Sequence, residues 1–483
     1  MSLPILPQLP ILNPLIFRAY DIRGIAHKPT SNSQPDLTPE TAKLIGKGFG
    51  TYLVRLYDKK NPKIVVGRDA RISGPELQSA FILGLTETGC DVTEIGESTS
   101  PLIYYAVHKY KFDGGCNVTA SHNPKEYNGF KLLGREAHSI CGDELQDVLN
   151  LIQKNDFEKG NGQLKTKDDI FDDYLAEVKS KIELKRKLKI VIDAGNGVAG
   201  LFAPELLEEL GCEVIKLHCT PDGMFPNHEA NPEDARNMQE LAEKVISEKA
   251  DLGIGFDGDG DRIGIIDENG KHYHSDTVLI PIARDLLKYT PGANIVFDIK
   301  SSKILENDIV KNGGNPIRSR TGHSFIEKTM KDIGAPLAGE TSGHMFFGKT
   351  YYDWYGFDDA MFAAAIILRI LSEANHSFSK FFEDLPIVFN TPEIKAHCPD
   401  DKKFQHIEKI KDHFANKYDC LTTDGVFVNF DKDSWGAIRC SNTTPCMTIR
   451  FEAPTENRLQ EIQKIFFDHL SEYDDIDNSW FQS

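Results

Sequence analysis

One pattern recurs three times along the first three quarters of this chain. Ile64-Val65-Val66-Gly67-Arg68-Asp69 leads through a helical stretch to Gly89-Cys90-Asp91-Val92. Ile190-Val191-Ile192-Asp193 leads through another to Gly211-Cys212-Glu213-Val214. Ile295-Val296-Phe297-Asp298 leads through a third to Gly313-Gly314-Asn315-Pro316-Ile317. Each copy reads as an apolar strand, an amphipathic helix, a glycine at the helix end and a second strand. This is the signature of a mixed α/β layer, whose functional residues sit on loops at strand ends. The copies start about 105 to 125 residues apart, which is a domain-sized step. From about Ile387 the pattern changes to a strand (391–397), a helix (404–418), further strands and a last helix (456–473). Such segregation of strands and helices marks a smaller α+β domain.

The most reactive segment is Phe256-Asp257-Gly258-Asp259-Gly260-Asp261-Arg262. Strand-like runs flank it, 252–256 before and 263–266 after, so the carboxylates lie on a tight bend. Two unit charges ~4 Å apart repel by about 4 kcal/mol at an effective dielectric of about 20. Three carboxylates brought together therefore call for a cation. Short oxygen ligands on a glycine-rich loop suit a hard ion such as Mg2+. A solvated acidic turn is the bland alternative. A calcium-binding helix-loop-helix is another, and Glu268 falls at its twelfth position. That loop needs glycine at its sixth position, where this chain has Arg262, and the flanks here are not helical.

Three more loops carry polar chemistry. Thr119-Ala120-Ser121-His122-Asn123-Pro124 follows a short strand at 114–118. Ser121 is a poor nucleophile unless a base, a metal or a positive site activates it. Near the acidic loop, a phosphorylated Ser121 would bring roughly −1.5 to −2 charge and an oxygen to complete a cation's coordination. A plain Ser/Asn turn is the alternative. In Gly339-Glu340-Thr341-Ser342-Gly343-His344 the polar side chains can hydrogen-bond hydroxyl groups. In Arg439-Cys440-Ser441-Asn442-Thr443-Thr444-Pro445 a guanidinium and several hydroxyls form a candidate phosphate cradle.

Composition narrows the setting. The formal net charge of −18 over 483 residues disfavours nucleic acid as a partner. It leaves room for a small anion held by local positive charge. No apolar run reaches membrane-spanning length, and the proline-interrupted N-terminus lacks the features of a secretory signal. Nine cysteines, scattered singly with no Cys-x-x-Cys pair, point to free thiols in a reducing, cytoplasmic setting.

Taken together, the four loops resemble those of the α-D-phosphohexomutases, from Phe17-Arg18-Ala19-Tyr20-Asp21-Ile22-Arg23-Gly24 to Arg450-Phe451-Glu452-Ala453. The resemblance is to the bacterial phosphomannomutase/phosphoglucomutase branch, on the 339–344 loop, on Tyr355-Gly356-Phe357-Asp358-Asp359 and on the 439–445 loop. The hexosamine-phosphate branch usually carries Ser-Gly-Thr-Glu-Pro where this chain has Ser441-Asn442-Thr443-Thr444-Pro445. Thr341 departs from the methionine common in the matching enzymes, a change expected to reshape the sugar loop slightly.

The resemblance implies three similar mixed α/β domains and a smaller C-terminal α+β domain around a central cleft, with boundaries at 1–166, 167–270, 271–385 and 386–483. It implies that Ser121 is a phosphoserine and that Asp257, Asp259 and Asp261 hold Mg2+ with it. Glu340, Ser342 and His344 would grip sugar hydroxyls, and Arg439, Ser441, Asn442 and Thr443 the non-reacting phosphate. Tyr20, Arg23, Lys131, Arg262, Lys300 and His323 fall in motifs that line the cleft in relatives, with Lys131 and His323 both candidates for the general base. The implied reaction moves a phosphoryl group between the 1 and 6 positions of mannose or glucose phosphate through a hexose 1,6-bisphosphate. The implied partners are hexose phosphates, and the implied state is a monomer or weak homo-oligomer. A phosphoglucosamine mutase, a serine phosphatase and a non-catalytic sugar-phosphate or metal-binding protein are the competing readings.

Overall fold

The computed structural model describes residues 12–27, 35–441 and 444–481. The chain divides into two compact units. The first takes in residues up to His272 together with Asp359–Glu373, and the second comprises Tyr273–Asp358 and the chain from Ala374 onward.

The threefold repeat is present, and it is larger than the sequence pattern suggests. In each copy the first strand is central: Lys63–Arg68, Lys189–Asp193 and Asn294–Asp298. On one side each pairs in parallel with the strand after its helix, namely Asp91–Glu97, Glu213–Leu217 and Asn315–Ser319. On the other side each pairs in parallel with a later strand, namely Gly114–Val118, Leu252–Phe256 and Leu337–Gly339. That later strand then turns back on itself, pairing antiparallel with Tyr127–Leu133, Ile263–Asp267 and Met345–Phe347 respectively. The three loops singled out above, around Ser121, Asp257–Arg262 and Glu340–His344, are this same hairpin in successive copies. They leave the carboxyl ends of parallel strands, the position from which α/β layers present ligand-binding groups.

Burial on both faces explains the strand composition. Ile64, Val65 and Val66 are inaccessible, as are Ile190, Val191 and Ile192, and Ile295, Val296 and Phe297. Continuous apolar runs of this kind belong to parallel strands covered on two sides. In the first copy the helices Pro39–Tyr57 and Gly74–Glu87 pack on one face around Phe49, Phe81 and Phe130. The helix Ala360–Glu373 follows the third copy in sequence but belongs to the first unit, where it packs on the strand Ile263–Asp267 and the helix Ala203–Glu209. Asp359 caps it by accepting from Phe362 N at 3.0 Å, and its carboxylate also accepts from Tyr174 Oη at 3.0 Å.

The last domain is antiparallel. Its sheet runs Phe389–Asn390, Cys446–Ala453, Trp435–Cys440, Val426–Asn429 and Asp419–Leu421, with Ile394–His397 also paired to Cys446–Ala453. Alternation is clear in Val426–Asn429. Val426 and Val428 join the core beneath the helices Asp400–Ala415 and Glu456–Leu470, while Phe427 stacks on Trp435 in a separate cluster. These helices lie within a few residues of the ranges expected from sequence. Among the described residues no helix is long and apolar enough to cross a membrane.

Close packing of the helices Pro39–Tyr57 and Gly74–Glu87 depends on Gly84, where an added Cβ would lie 2.2 Å from the carbonyl oxygen of Lys43. Helix propensity favours alanine by up to ~1 kcal/mol, but a backbone carbonyl cannot swing aside. Gly84→Ala should therefore destabilise by about 1–3 kcal/mol, read as a lower denaturant midpoint at unchanged m-value. An unchanged or raised midpoint would contradict this packing argument.

Candidate active site

In the first unit, Ser121 and the acidic loop meet. Ser121 Oγ donates to Asp257 Oδ2 at 2.7 Å, and Nδ1 of His122 lies 3.3 Å from the same hydroxyl. Ser121 adopts φ +52°, a left-handed conformation uncommon for a serine, held because Thr119 Oγ1 accepts from Ser121 N at 2.8 Å. Gly258 permits the approach: a Cβ there would sit 2.5 Å from the Ser121 carbonyl oxygen.

All three aspartates are fully buried. Asp257 Oδ1 accepts from the backbone N–H of Asp261 and of Arg262, each at 3.1 Å. Lys131 ion-pairs with Asp259 at 2.6 Å and with Asp261, and Ser100 Oγ donates to Asp259 at 2.6 Å. Burial, reinforced by the charges of Asp259 and Asp261, pushes the Asp257 carboxyl well above the usual range. Burial and Asp261 also push Asp259 upward, but Lys131 and the Ser100 hydroxyl outweigh them and hold it low. Arg262 stands further off, with Nη1 3.9 Å from Glu233 and Nε 4.0 Å from Asp257.

This geometry fits a hard divalent cation. One carboxylate oxygen from each of Asp257, Asp259 and Asp261 lies within 4.8 Å of the others. Among the described residues Asp259 Oδ1 is buried without a hydrogen-bond partner, a costly state that a cation would relieve.

Positive charge surrounds the serine loop. Arg23 donates to Asp21 at 2.6 Å and to Asn123 Oδ1 at 2.9 Å, with half-buried Tyr20 just upstream. Arg71 lies outside the sequence-based set. It is fully buried, and its guanidinium donates to the carbonyls of Ser121 (2.7 Å), Asn123 (2.6 Å), Pro124 (2.8 Å) and Tyr127 (2.9 Å) while pairing with Asp69 at 3.0 Å. The only hint in sequence is its place two residues after the strand-end Asp69. A cavity of ≈ 240 Å³ opens beside Ser121, lined in part by Arg71, Asn123, Lys125 and Phe225.

The second unit gathers the remaining groups. The loop Glu340–His344 closes through Gly343 N to Glu340 O at 3.0 Å and Glu340 N to His344 O at 2.9 Å. Glu340 Oε1 accepts from Gly322 N at 3.1 Å. The Ser342 hydroxyl is buried with no hydrogen-bond partner among the described residues. His344 Nδ1 contacts Asp358 at 2.6 Å, and the His323 ring stacks on His344 at 5.4 Å. Thr341 donates to Asp298 at 2.9 Å, so the hydroxyl that replaces the expected methionine ties the loop to the central strand. In the last domain Arg439 Nε donates to Asp424 at 2.7 Å. Ser441 Oγ shares a hydrogen bond with Thr444 Oγ1 at 2.7 Å. Buried Lys403 donates to the carbonyls of Ser441 (2.7 Å) and Thr444 (3.0 Å) and so props this loop from within. Lys300 is ion-paired to Glu393. Asn442 and Thr443 lie outside the described residues.

A repeated α/β hairpin that places a serine against a buried carboxylate triad defines a phosphoryl-transfer class of protein, and comparison makes the class specific. The families described as phosphoglucomutase/phosphomannomutase alpha/beta/alpha domains I, II and III match residues 14–159, 171–270 and 274–389, and the C-terminal domain of the same family matches 393–469. Phosphomannomutase/phosphoglucomutase of Pseudomonas aeruginosa PAO1 is 41% identical over 97% of this chain and 98% of its own. Phosphoglucomutase of Neisseria gonorrhoeae is 39% identical over 93% of this chain and 95% of its own. The crystal structure of a phosphoglucomutase/phosphomannomutase family protein from Burkholderia thailandensis superposes with a TM-score of 0.87 at 36% identity, covering 96% of this chain and 98% of that one. The chain belongs to the phosphoglucomutase/phosphomannomutase family.

A divalent ion and the proton on Asp257 compete for one oxygen. Without metal, the folded protein binds that proton more tightly than the unfolded chain does. Stability from this group is thus lost as pH rises from the ordinary carboxyl range through the raised folded value, and metal affinity increases over the same interval. The Mg2+-induced rise in melting temperature should grow as pH climbs above the ordinary carboxyl range. A pH-independent rise would refute this competition.

Proposed function

We propose that this protein is a phosphohexomutase that moves a phosphoryl group between the 1 and 6 positions of mannose or glucose phosphate, in the cytoplasm, through a phosphoserine at position 121 and a hexose 1,6-bisphosphate. The observation that carries the reading is the 2.7 Å contact between Ser121 Oγ and Asp257 inside a buried carboxylate triad. Family membership supports the reaction, and the names of the similar proteins support the two sugars. Nine free cysteines fit a reducing compartment.

In this reading Asp257, Asp259 and Asp261 hold Mg2+, with phospho-Ser121 contributing an oxygen. When bound, the ion neutralises charge on the phosphoryl group and makes its phosphorus easier to attack. Ser121 gives up the phosphoryl to the free hydroxyl of a hexose monophosphate, yielding the bisphosphate, and takes back the other phosphoryl after the sugar reverses. Arg71 keeps the serine backbone rigid through four carbonyls, so Oγ stays in line throughout. Lys131 and Arg262 supply fixed positive charge, and Arg23 orients Asn123 of the serine loop. Glu340, Ser342 and His344 bind sugar hydroxyls. The buried Ser342 hydroxyl supports this, since a hydroxyl left without a partner gains a hydrogen bond when sugar arrives. Arg439, Ser441, Asn442 and Thr443 bind the non-reacting phosphate, with Tyr20 and Lys300 as further contacts. The sugar proton passes to His323, because Lys131, held as an ammonium between Asp259 and Asp261, has no lone pair to accept it.

The test is a coupled assay with Mg2+ and a trace of glucose 1,6-bisphosphate, run on mannose 1-phosphate, glucose 1-phosphate and glucosamine 1-phosphate in parallel. Turnover of the first two should dominate, and Ser121→Ala should abolish it while leaving the fold intact by circular dichroism. Turnover mainly of glucosamine 1-phosphate would assign the other branch, and release of inorganic phosphate alone would mean a phosphatase. Arg71→Met should lower kcat by at least ~100-fold, the usual cost of small misplacement, with less change in KM. An equal loss in both would deny Arg71 its positioning role.

A further inference from the structure

A second cluster of metal-ligating side chains lies in the first unit, separate from the acidic loop. Asp193 ends the central strand of the second repeat, and His218 directly follows the neighbouring strand Glu213–Leu217. The parallel register pairs Asp193 with Leu217, which sets His218 beside the carboxylate. His228 arrives from the loop that follows. One carboxylate oxygen of Asp193 and one ring nitrogen from each histidine lie within 4.8 Å of one another.

The hydrogen bonds around the cluster are those of ligands already oriented. His228 Nδ1 lies 2.9 Å from the carbonyl of Glu229, and its Nε2 lies 3.0 Å from Asp193 Oδ2. A carbonyl can only accept, so Nδ1 carries a proton. Nε2 then faces a carboxylate oxygen, so either a second ring proton, which Asp193 favours against the opposing effect of burial, or a metal ion must lie between the two atoms. His218 Nε2 lies 2.9 Å from Glu240 Oε2, which leaves Nδ1 as its lone-pair nitrogen. Histidines that bind metals give their outer nitrogen to a carboxylate or carbonyl in this way. Asp193 Oδ1 accepts from Gly195 N at 2.8 Å, which fixes the carboxylate and leaves Oδ2 toward the histidines.

A plain loop anchor accounts for the His228–Asp193 contact but not for His218, which adopts φ +46° and packs edge-on to His228 at 5.4 Å. We propose that Asp193, His218 and His228 form a binding site for a borderline-soft divalent metal ion such as Zn2+, distinct from the hard-cation site at Asp257, Asp259 and Asp261. Two imidazoles and one carboxylate are a common zinc ligand set, with ligand bonds of about 2.0–2.2 Å. Water completes the coordination, since the Cys219 thiol donates to the carbonyls of Ile192 and Leu217. Bound metal would tie down the loop 218–230, whose Phe225, Glu229 and Ala230 line the cavity beside Ser121.

The test titrates Zn2+ against a chromophoric indicator in excess Mg2+, which fills the hard-oxygen site, and repeats the titration with Co2+ to read its visible absorption bands. Wild type should bind one equivalent. His218→Gln and His228→Gln should each weaken that binding by more than ~10-fold and remove the Co2+ bands, and Glu240→Gln should weaken it by about 10–100-fold. Should His228→Gln fail to fold, His218→Gln keeps the test valid, because His218 bonds to the exposed Glu240 rather than to the buried Asp193. Unchanged stoichiometry and affinity in His218→Gln would overturn the proposal, as would loss of binding only in Cys219→Ser or no Zn2+ binding at all.

Discussion

Three buried carboxylates on five residues of chain are the constraint around which the first unit is arranged. Charged oxygens out of water are stable only when cations and donors reach them. Lys131 does so from the strand Tyr127–Leu133, Ser100 from the start of a helix, and Ser121 from the serine loop. Each comes from the first repeat, whereas the carboxylates come from the second. The acidic loop therefore joins two domains electrostatically while remaining a hairpin of one of them. Among the described residues Asp257 has no lysine partner, and burial together with the charges of Asp259 and Asp261 raises its pKa. It also meets Ser121, so a carboxylate strained by its neighbours lies where a metal ion would relieve it.

Much of this was legible in the sequence because the signals are local. Glycine-spaced aspartates between two apolar runs specify a hairpin and its charge, and strand-helix-glycine-strand repeats specify the layers. What stayed hidden is non-local. Arg71 contacts four carbonyls roughly fifty residues away, and nothing in its immediate neighbours separates it from a surface arginine. Ser100 reaches Asp259 across 159 positions. The placement of Ala360–Glu373 in the first unit is equally invisible, because a helix that is apolar on every side signals only that it is buried, not beneath which sheet. Lys403 reads as an ordinary helix lysine until the fold places it under the carbonyls of Ser441 and Thr444.

The repeat also explains why the functional loops could be found one at a time but not as a set. Their sequences share no residue pattern, since one carries a serine, one aspartates and one a glutamate with a histidine. Their topology is identical: each joins a parallel strand to the antiparallel strand beside it. A hairpin whose first strand is buried on both faces must emerge at the carboxyl edge of the sheet, where its loop is freed from packing and can vary in chemistry. The scaffold fixes position, and the loop residues alone decide whether that position handles a phosphoryl group, a cation or a hydroxyl.

That division has a consequence for charge. An acidic protein binds anions only where its cations are held against the pull of its own carboxylates. Arg23, Arg71 and Lys131 are buried, each with a carboxylate partner, so their charge is fixed in place rather than spread over mobile surface side chains. Burying an unpaired arginine is costly, and pairing it in full would cancel its field. Arg71 avoids both extremes. One edge of its guanidinium faces Asp69, and the remaining donors meet neutral carbonyls of the serine loop. The positive end of this ion pair then faces the backbone that carries Ser121. A lysine there would keep the charge but could not reach four carbonyls at once, so the planar fork of arginine makes one side chain serve as both counter-ion and template.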